Sequence, residues 1–454
     1  MKKMDIQQEL GGAEIFPLLV RLTIPATIAQ IVNAVYSIVD RIYIGHLPNV
    51  GTVALSGVGL TFPITMMISA FSYLPGGGAP LAAIAIGEGN TKTAQKYLCN
   101  ATSLLLTFSV VCTMVCLLFL KPLLAMFGAD SETLPYAYEY LKIYVLGTAF
   151  VELALGLNPF INTQGFTTIG TASIVIGAAL NILLDPLLMY TLNMGIRGAA
   201  IATVFSQFVS CLWIFWFLSS KRTYIRINLK DMKPDLSVMK KICLLGLSPF
   251  TFRVNESLVV VLLNRLIISH GGAMANLHIA SLTIVNSISQ IFLMPLIGIV
   301  NGAQPILSYN FGTKNYPRIR ETIKYARILS FNCAVFTWAM IMVIPGRISS
   351  LFTDSQELIS LTKITLRIMF CTVFALGFQM TNQNAFVAMG HTRYSFLFGI
   401  MRKVLLLVPL AVILPKFIGV WGVYAAEMIS NPVTTVITFI VFERYMSKLK
   451  KEFH

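Results

Sequence analysis

With 454 residues, 56% of them apolar, only 12% charged and a mean hydropathy of +0.75, the chain lacks the polar surface that a soluble globule of this size must show to water. The composition predicts a polytopic membrane protein and excludes a soluble enzyme or binding module. A net charge of +15 would suit nucleic acid as a partner, so where the basic residues fall along the chain has to decide their meaning.

Crossing ~30 Å of hydrocarbon as a helix takes about 20 apolar residues. Twelve stretches meet that need, near 16–44, 52–86, 97–120, 136–160, 168–192, 197–219, 243–269, 276–308, 322–345, 360–388, 393–415 and 419–442. The residues before the first are polar, and that stretch is full-length with no small-residue cleavage site. It is therefore expected to stay in the membrane and not to act as a removable secretory signal. The second and eighth stretches are long, and Gly76-Gly77-Gly78 and Pro295 predict that they bend or break.

With the N-terminus inside, twenty Lys and Arg, from Lys2 and Lys3 through Lys230 to Lys451, fall in cytoplasmic segments. The outer connections hold only Lys121, Arg197, Arg347 and Lys416. This is a positive-inside bias, so both termini are expected in the cytoplasm, and the basic charge reports topology and contact with anionic lipid, with no nucleic-acid partner.

Residues 24–219 and 248–445 match at a shift of 224 to 225. Ile24-Pro25 falls on Ser248-Pro249, Pro80 on Pro305, Gly87 and Asn90 on Gly312 and Asn315, Gly165 on Gly390, and Gly195 and Gly198 on Gly419 and Gly422. An apolar sequence duplicated end to end is a signature of secondary transporters. An even number of spans per copy relates the copies by a pseudo-two-fold axis along the membrane normal. The expected fold is all-α, with an N-terminal six-helix lobe (1–220), a polar cytoplasmic linker (221–241) and a C-terminal six-helix lobe (242–454).

An ionisable group at mid-bilayer is expensive and asks for a reason. The first copy contains Asp40, Glu152 and Asp185; the second contains Arg253, Glu256, Arg265, Arg402, Lys403 and Glu427. Asp185 follows Asn181 by four residues in "NILLDP", so the two share a helix face, and Pro186 frees local carbonyls beside them. Thr203 enters the next span at comparable depth, about 9 Å below Arg197. Asp40 lies in the outer part of the first span, with Tyr36 one turn below it.

Two carboxyls, an amide and a hydroxyl at similar depth could cage a small cation. They could equally share protons, because two acids close together in a low dielectric do not both ionise cheaply. Purely structural roles, Asp40 paired with Arg41 and Asp185 with Asn181, are the alternative. In the second copy Asn264 stands where Asp40 does, and the stretch matching Asp185 reads "LLLVPL", so only the first lobe can carry this site. In the second lobe, Glu256 and Arg402 reach comparable depths and predict an internal ion pair of Glu256 with Arg402 or Arg253. His46 and His270 are expected to be solvated near the loops. Cys112 and Cys116, one turn apart without a nearby His or carboxylate, are expected to be packing residues.

Together, Pro25, "VDRIYIG", "NILLDP" and "GIRGAAIAT" in two six-span copies resemble the MATE family of multidrug and toxic-compound extruders, over essentially the whole chain. The resemblance implies a cation-coupled antiporter, with H⁺ or Na⁺ bound by Asp40, Asn181, Asp185 and Thr203. It implies a hinge at Pro25 and places Tyr36, Tyr140, Asn158, Glu256 and Gln379 along a polar network or drug cavity. Another branch of the family couples through a Glu in the seventh helix and an Asp in the tenth. Glu256 could supply the first, but the tenth helix offers Gln379 and Asn382 and no acid.

The expected partners are amphipathic, often cationic, drugs and the lipid bilayer. The protein is expected to be a monomer in the plasma (inner) membrane with no cofactor beyond the coupling ion. A lipid-linked oligosaccharide flippase is the competing expectation, kept open by Arg253, Arg265, Arg402 and Lys403. A membrane enzyme is disfavoured by the absence of H-E-x-x-H, G-x-S-x-G and P-loop patterns.

Overall fold

The computed structural model describes residues 3–48, 50–127, 129–228, 231–353 and 355–453; these are overwhelmingly helical, and no strand occurs among them. Lys2 and Lys230, counted in the charge bias, lie outside them. The first span is Ile15–Gly45, the third Thr91–Leu118, the fifth Thr167–Pro186 and the sixth Gly195–Ser219. The seventh is Leu236–His270, the eighth Ala275–Gly312, the ninth Tyr316–Val343 and the twelfth Trp421–Glu452.

Two spans are bent pairs: the fourth, Leu134–Leu146 with Thr148–Asn162, by 57°, and the tenth, Gln356–Phe370 with Phe374–Ala388, by 48°. The fifth continues past Pro186 into a π-helical turn, Leu187–Thr191. The eleventh runs Thr392–Ile400, then a π-helical turn Met401–Leu407, then Val408–Ile413. Among the described residues, nine helices are long and apolar enough to cross a bilayer, and the bent pairs bring the number to eleven. Leu236–His270 is also long enough, but Arg253, Glu256 and Arg265 make it less apolar.

The second span is interrupted at Ser72 and at Gly77, into Gly51–Phe71, Tyr73–Gly76 and Gly78–Gly87, but both residues keep helical dihedrals and Val53–Gly87 crosses as one span. The eighth does not break: it is one helix through both Pro295 and Pro305. A proline removes a single backbone donor, and close packing along the same helix can hold it together. A Cβ at Gly298 would lie 2.7 Å from the Thr27 Cα, and one at Gly302 would lie 2.7 Å from the Thr23 Cα.

The repeat is visible in local geometry. Asn90 caps the third span by accepting from the Thr93 amide at 3.0 Å, and its match Asn315 caps the ninth by accepting from the Arg318 amide at 3.3 Å. Gly165 and its match Gly390 take φ of +86° and +77°, a conformation open to glycine at no steric cost.

Contacts group Met1–Ala13 with Ile28–Phe250, and Glu14–Thr27 with Thr251–His454; the change-over points lie inside the first and seventh spans, beside Pro25 and Pro249. In the first unit, Ile44, Leu124, Leu141, Val145 and Met189 form part of a buried apolar core. The polar connection after Ser219 is tied down on this unit: the Gln164 Oε1 accepts from the Tyr224 amide at 2.9 Å, and the Asn100 Oδ1 accepts from the Asp235 amide at 2.8 Å. The second unit has its own core, around Leu282, Val285, Ile341, Leu366 and Tyr424.

Candidate functional site

In the first unit, the helical repeat puts Asn181 and Asp185 on one face of the fifth span, and that face meets the sixth. The approach is close because Gly198 on the sixth lies against the π-helical turn, where a Cβ would be 2.8 Å from the Leu188 carbonyl carbon. The Asn181 Nδ2 donates to the Asp185 Oδ1 at 3.2 Å and to the Thr203 Oγ1 at 3.3 Å. Asp185, Asn181, Thr203 and Asp40 are all buried, at 0%, 1%, 6% and 8% exposure. Asp40 lies within electrostatic range of Asp185, Tyr36 and Tyr140. Tyr140 also reaches the Thr203 side chain and stacks on Tyr144, with centroids 6.3 Å apart. The Tyr190 hydroxyl, from the π-helical turn, donates to the Tyr43 carbonyl at 2.6 Å and ties the fifth span to the first beside Asp40.

Three acceptor oxygens here are buried without a hydrogen-bond partner: the Asp40 Oδ1, the Asn181 Oδ1 and the Asp185 Oδ2. Buried polar atoms are nearly always satisfied, so a cluster of unpaired acceptors calls for an external donor or cation. All-oxygen donors of this kind, with the Thr203 hydroxyl beside them, suit a hard cation or protons and offer nothing soft for a transition metal. The Arg41 guanidinium lies over the Phe62 ring, 4.9 Å from its centroid.

The other expected residues divide. Asn158 is fully engaged: its Nδ2 donates to the Gly170 carbonyl and the Ser173 Oγ, both at 2.8 Å, and its Oδ1 accepts from Asn162 at 2.8 Å, which ties the fourth span to the fifth. Pro25 sits in an unbroken helix, in the stretch that packs with the second unit.

In that second unit, Glu256 is paired as anticipated with Arg402, at 3.5 Å, but its nearer partner is the Lys403 Nζ, at 3.1 Å. Lys403 also reaches Glu427 at 3.5 Å, and Arg402 stacks over the Phe252 ring at 5.4 Å. Gln379 is buried with its Oε1 unpaired, and the Asn382 Oδ1 accepts from the Arg327 Nε at 2.8 Å. His46 and His270 are exposed, each with its Nδ1 on the carbonyl one turn back.

One expectation is corrected. Cys112 and Cys116 do have a carboxyl neighbour, Glu152, which is 0% exposed and close enough to interact with the Cys112 thiol. It arrives from the fourth span, on the far side of the bend, so spacing in the sequence could not place it. Arg327 was also missed: it joins Asn382, Glu443 at 2.6 Å and the faces of Phe439 and Phe442.

The MatE family model matches residues 25–187 and 254–413, once in each copy of the repeat. The multidrug export protein MepA of Staphylococcus haemolyticus is 25% identical over 432 residues, covering 95% of this chain and 94% of its own. A MATE crystal structure in the bent conformation has a TM-score of 0.91 at 26% identity, with 100% of this chain and 99% of that one covered. A MOP-superfamily transporter from Pyrococcus furiosus has a TM-score of 0.90 at 27% identity, with 98% of each chain covered. Matched in both halves of its duplication and along nearly its full length, the chain belongs to the MatE family of membrane transporters.

Proposed function

We propose that the protein is a cation-coupled antiporter that exports amphipathic, often cationic, organic compounds by alternating access. The observation that carries this reading is the group of unpaired oxygens on Asp40, Asn181 and Asp185 beside Thr203, enclosed in the first unit of a chain related to a multidrug export protein. Coupling needs only that cation and drug prefer different conformations, so that each displaces the other's favoured state.

Asp40 and Asp185 supply the charge that attracts the cation. Asn181 orients Asp185 and Thr203 toward it, and Tyr36 and Tyr140 relay the change in charge along the first and fourth spans. Pro25 provides the place where the first span bends, because its missing backbone donor leaves that turn weaker than the rest. H⁺ and Na⁺ both fit these donors. The charge bias of the connections supports the plasma membrane orientation with both termini in the cytoplasm.

The flippase alternative needs free cations to hold a pyrophosphate. Glu256 and Glu427 already pair with Arg402 and Lys403, which weighs against it. The test is efflux of a fluorescent organic cation from proteoliposomes under an imposed H⁺ gradient and, separately, an imposed Na⁺ gradient, beside Asp40→Asn. Transport driven by either gradient and lost in the variant supports the antiporter and names its ion. Undiminished gradient-driven transport in Asp40→Asn would sink the first-lobe mechanism, and no gradient-driven transport in the unmodified protein would sink coupling itself.

A further inference from the structure

The charged cluster of the second unit is built on the same three helices of the repeat as the candidate site of the first. Asp40 lies on the first span, Asn181 and Asp185 on the fifth, and Thr203 on the sixth; Glu256, Lys403 and Glu427 lie on the seventh, eleventh and twelfth, their duplicates. At the shift of 224 that carries Gly198 onto Gly422, Thr203 falls on Glu427. In both units the fifth-type helix carries a π-helical turn, Leu187–Thr191 after Asp185 in one and Met401–Leu407 around Lys403 in the other, about ten residues apart in the register of the repeat. Such turns recur at functional positions. Only Thr203 and Glu427 coincide in register: Glu256 stands eight residues before Asn264, the match of Asp40, about 12 Å along the helix, and Lys403 stands six residues before Pro409, the match of Asp185, about 9 Å along its own.

The contents of the two clusters differ in one way that matters. The first holds unpaired acceptor oxygens, with the Arg41 guanidinium within electrostatic range of Asp40 but stacked over Phe62. The second holds two carboxyls with an ammonium between them: the Lys403 Nζ is 3.1 Å from Glu256 and 3.5 Å from Glu427. Lys403 is 6% exposed, so its charge is committed to this pair of acids.

We propose that Lys403 is a tethered stand-in for the coupling cation: its ammonium permanently occupies the acid cluster on the duplicated helices of the second lobe, and so confines cation exchange to Asp40 and Asp185. The proposal rests on the antiporter reading for what the first lobe does, while the second-lobe occupancy can be read separately. Removing Lys403 takes away the ammonium that pairs with Glu427, whereas Glu256 keeps Arg402 at 3.5 Å. A carboxylate stripped of its cation in a largely enclosed place takes up a proton or a small cation from outside. The charged groups acting on Glu256 are Lys403, Arg402 and Arg253, so two fixed cations remain after the deletion and the vacancy centres on Glu427.

The experiment is thermal unfolding of the full-length detergent-purified protein at constant ionic strength, in choline chloride at mildly alkaline pH, in NaCl at the same pH, and in choline chloride at mildly acidic pH. Asp40→Asn silences the first lobe and serves as the background. Asp40→Asn/Lys403→Ala is expected to unfold several degrees lower in alkaline choline chloride and to recover most of that loss in Na⁺ or acid. Asp40→Asn alone and Asp40→Asn/Lys403→Arg, which keeps a tethered cation, are expected to show no such recovery. Lys403→Gln, which retains a polar group, carries the same expectation as the alanine and covers the case in which that variant does not fold. A loss that is the same in every buffer, or no loss, overturns the proposal and leaves Lys403 an ordinary ion-pair partner. If Asp40→Asn alone keeps the cation response of the unmodified protein, it is the first-lobe reading that fails, and the difference between the single and double variants still decides the role of Lys403.

Discussion

The side-chain amide of Asn181 holds Asp185 at 3.2 Å and Thr203 at 3.3 Å at once, so one residue sets the spacing between an acid on the fifth span and a hydroxyl on the sixth. Thr203→Val preserves shape and removes only the hydroxyl. A hydrogen bond of this kind contributes about 1 kcal/mol, so the half-saturating cation concentration for efflux should rise roughly 5- to 10-fold with maximal rate little changed. Asn181→Ala frees both partners and should weaken the cation further, while Asp185→Asn should abolish coupled efflux. Concentration dependence of transport in proteoliposomes checks all three. Equal apparent affinities in Thr203→Val and the unmodified protein would remove Thr203 from the site.

The eighth span leaves room for the backbone that carries Pro25. A Cβ at Gly298 would lie 2.0 Å from the Thr27 Oγ1 and 2.7 Å from its Cα. Trimming Thr27 could relieve the first clash but not the second. Gly298→Ala should therefore displace residues 23–27, lower stability by about 1–3 kcal/mol and reduce transport out of proportion to expression. A second change, Thr27→Ala, should fail to restore it. Thermal unfolding and efflux measured on Gly298→Ala and the double variant decide the point; full rescue by Thr27→Ala would show that only the side chain mattered.

Much of this architecture was legible because duplication and burial leave marks in sequence. The matched pairs Asn90 with Asn315 and Gly165 with Gly390 turn out to be matched helix caps and matched positive-φ turns, since local geometry of this kind depends on neighbours in the chain. The i, i+4 pair Asn181 and Asp185 was legible for the same reason. Among contacts between distant segments, the pairing of Glu256 with Arg402 was legible from matching depths, and most others were not. Glu152 beside Cys112, Lys403 between Glu256 and Glu427, and Arg327 against Asn382 each need the packing of separate helices. That the eighth helix does not break at Pro295 was not legible either, because the packing that Gly298 and Gly302 permit involves a distant segment.

Arg327 joins three helices in the second unit. Its Nε donates to the Asn382 Oδ1 at 2.8 Å, its Nη1 meets Glu443 at 2.6 Å, and its guanidinium lies 5.0 Å from the centroids of both Phe439 and Phe442. The arginine side chain is 15% exposed and that of Glu443 43%, so screening limits what the pair alone contributes. With the amide and ring contacts added, Arg327→Ala should destabilise the protein by about 1–3 kcal/mol. Arg327→Lys keeps the charge but has no planar fork, and should recover less than half. Unfolding temperatures of the two variants test this; a lysine equal to arginine would mean that charge alone matters.

Asp130 precedes the fourth span in the connection from the third, outside the membrane-spanning helices. Its Oδ1 accepts from the Thr133 amide at 2.9 Å, the Thr133 hydroxyl at 2.8 Å and the Glu132 amide at 3.1 Å, which closes the turn leading into the helix that starts at Leu134. The hydrogen bonds from Thr133, the backbone one foremost, hold its carboxyl below the ordinary carboxylate range. A depressed folded value means that the contribution is present above the ordinary value of about 3.9 and is lost as pH falls through the lower, folded one. Hydrogen exchange at Glu132 and Thr133 should therefore be slowed by a similar factor at every pH above about 5. Asp130→Ala should accelerate exchange at both amides, while Asp130→Asn, whose side-chain oxygen can close the same turn, should largely preserve their protection. Exchange in Asp130→Ala as slow as in the unmodified protein would show that the turn is held by the helix behind it and not by the carboxylate.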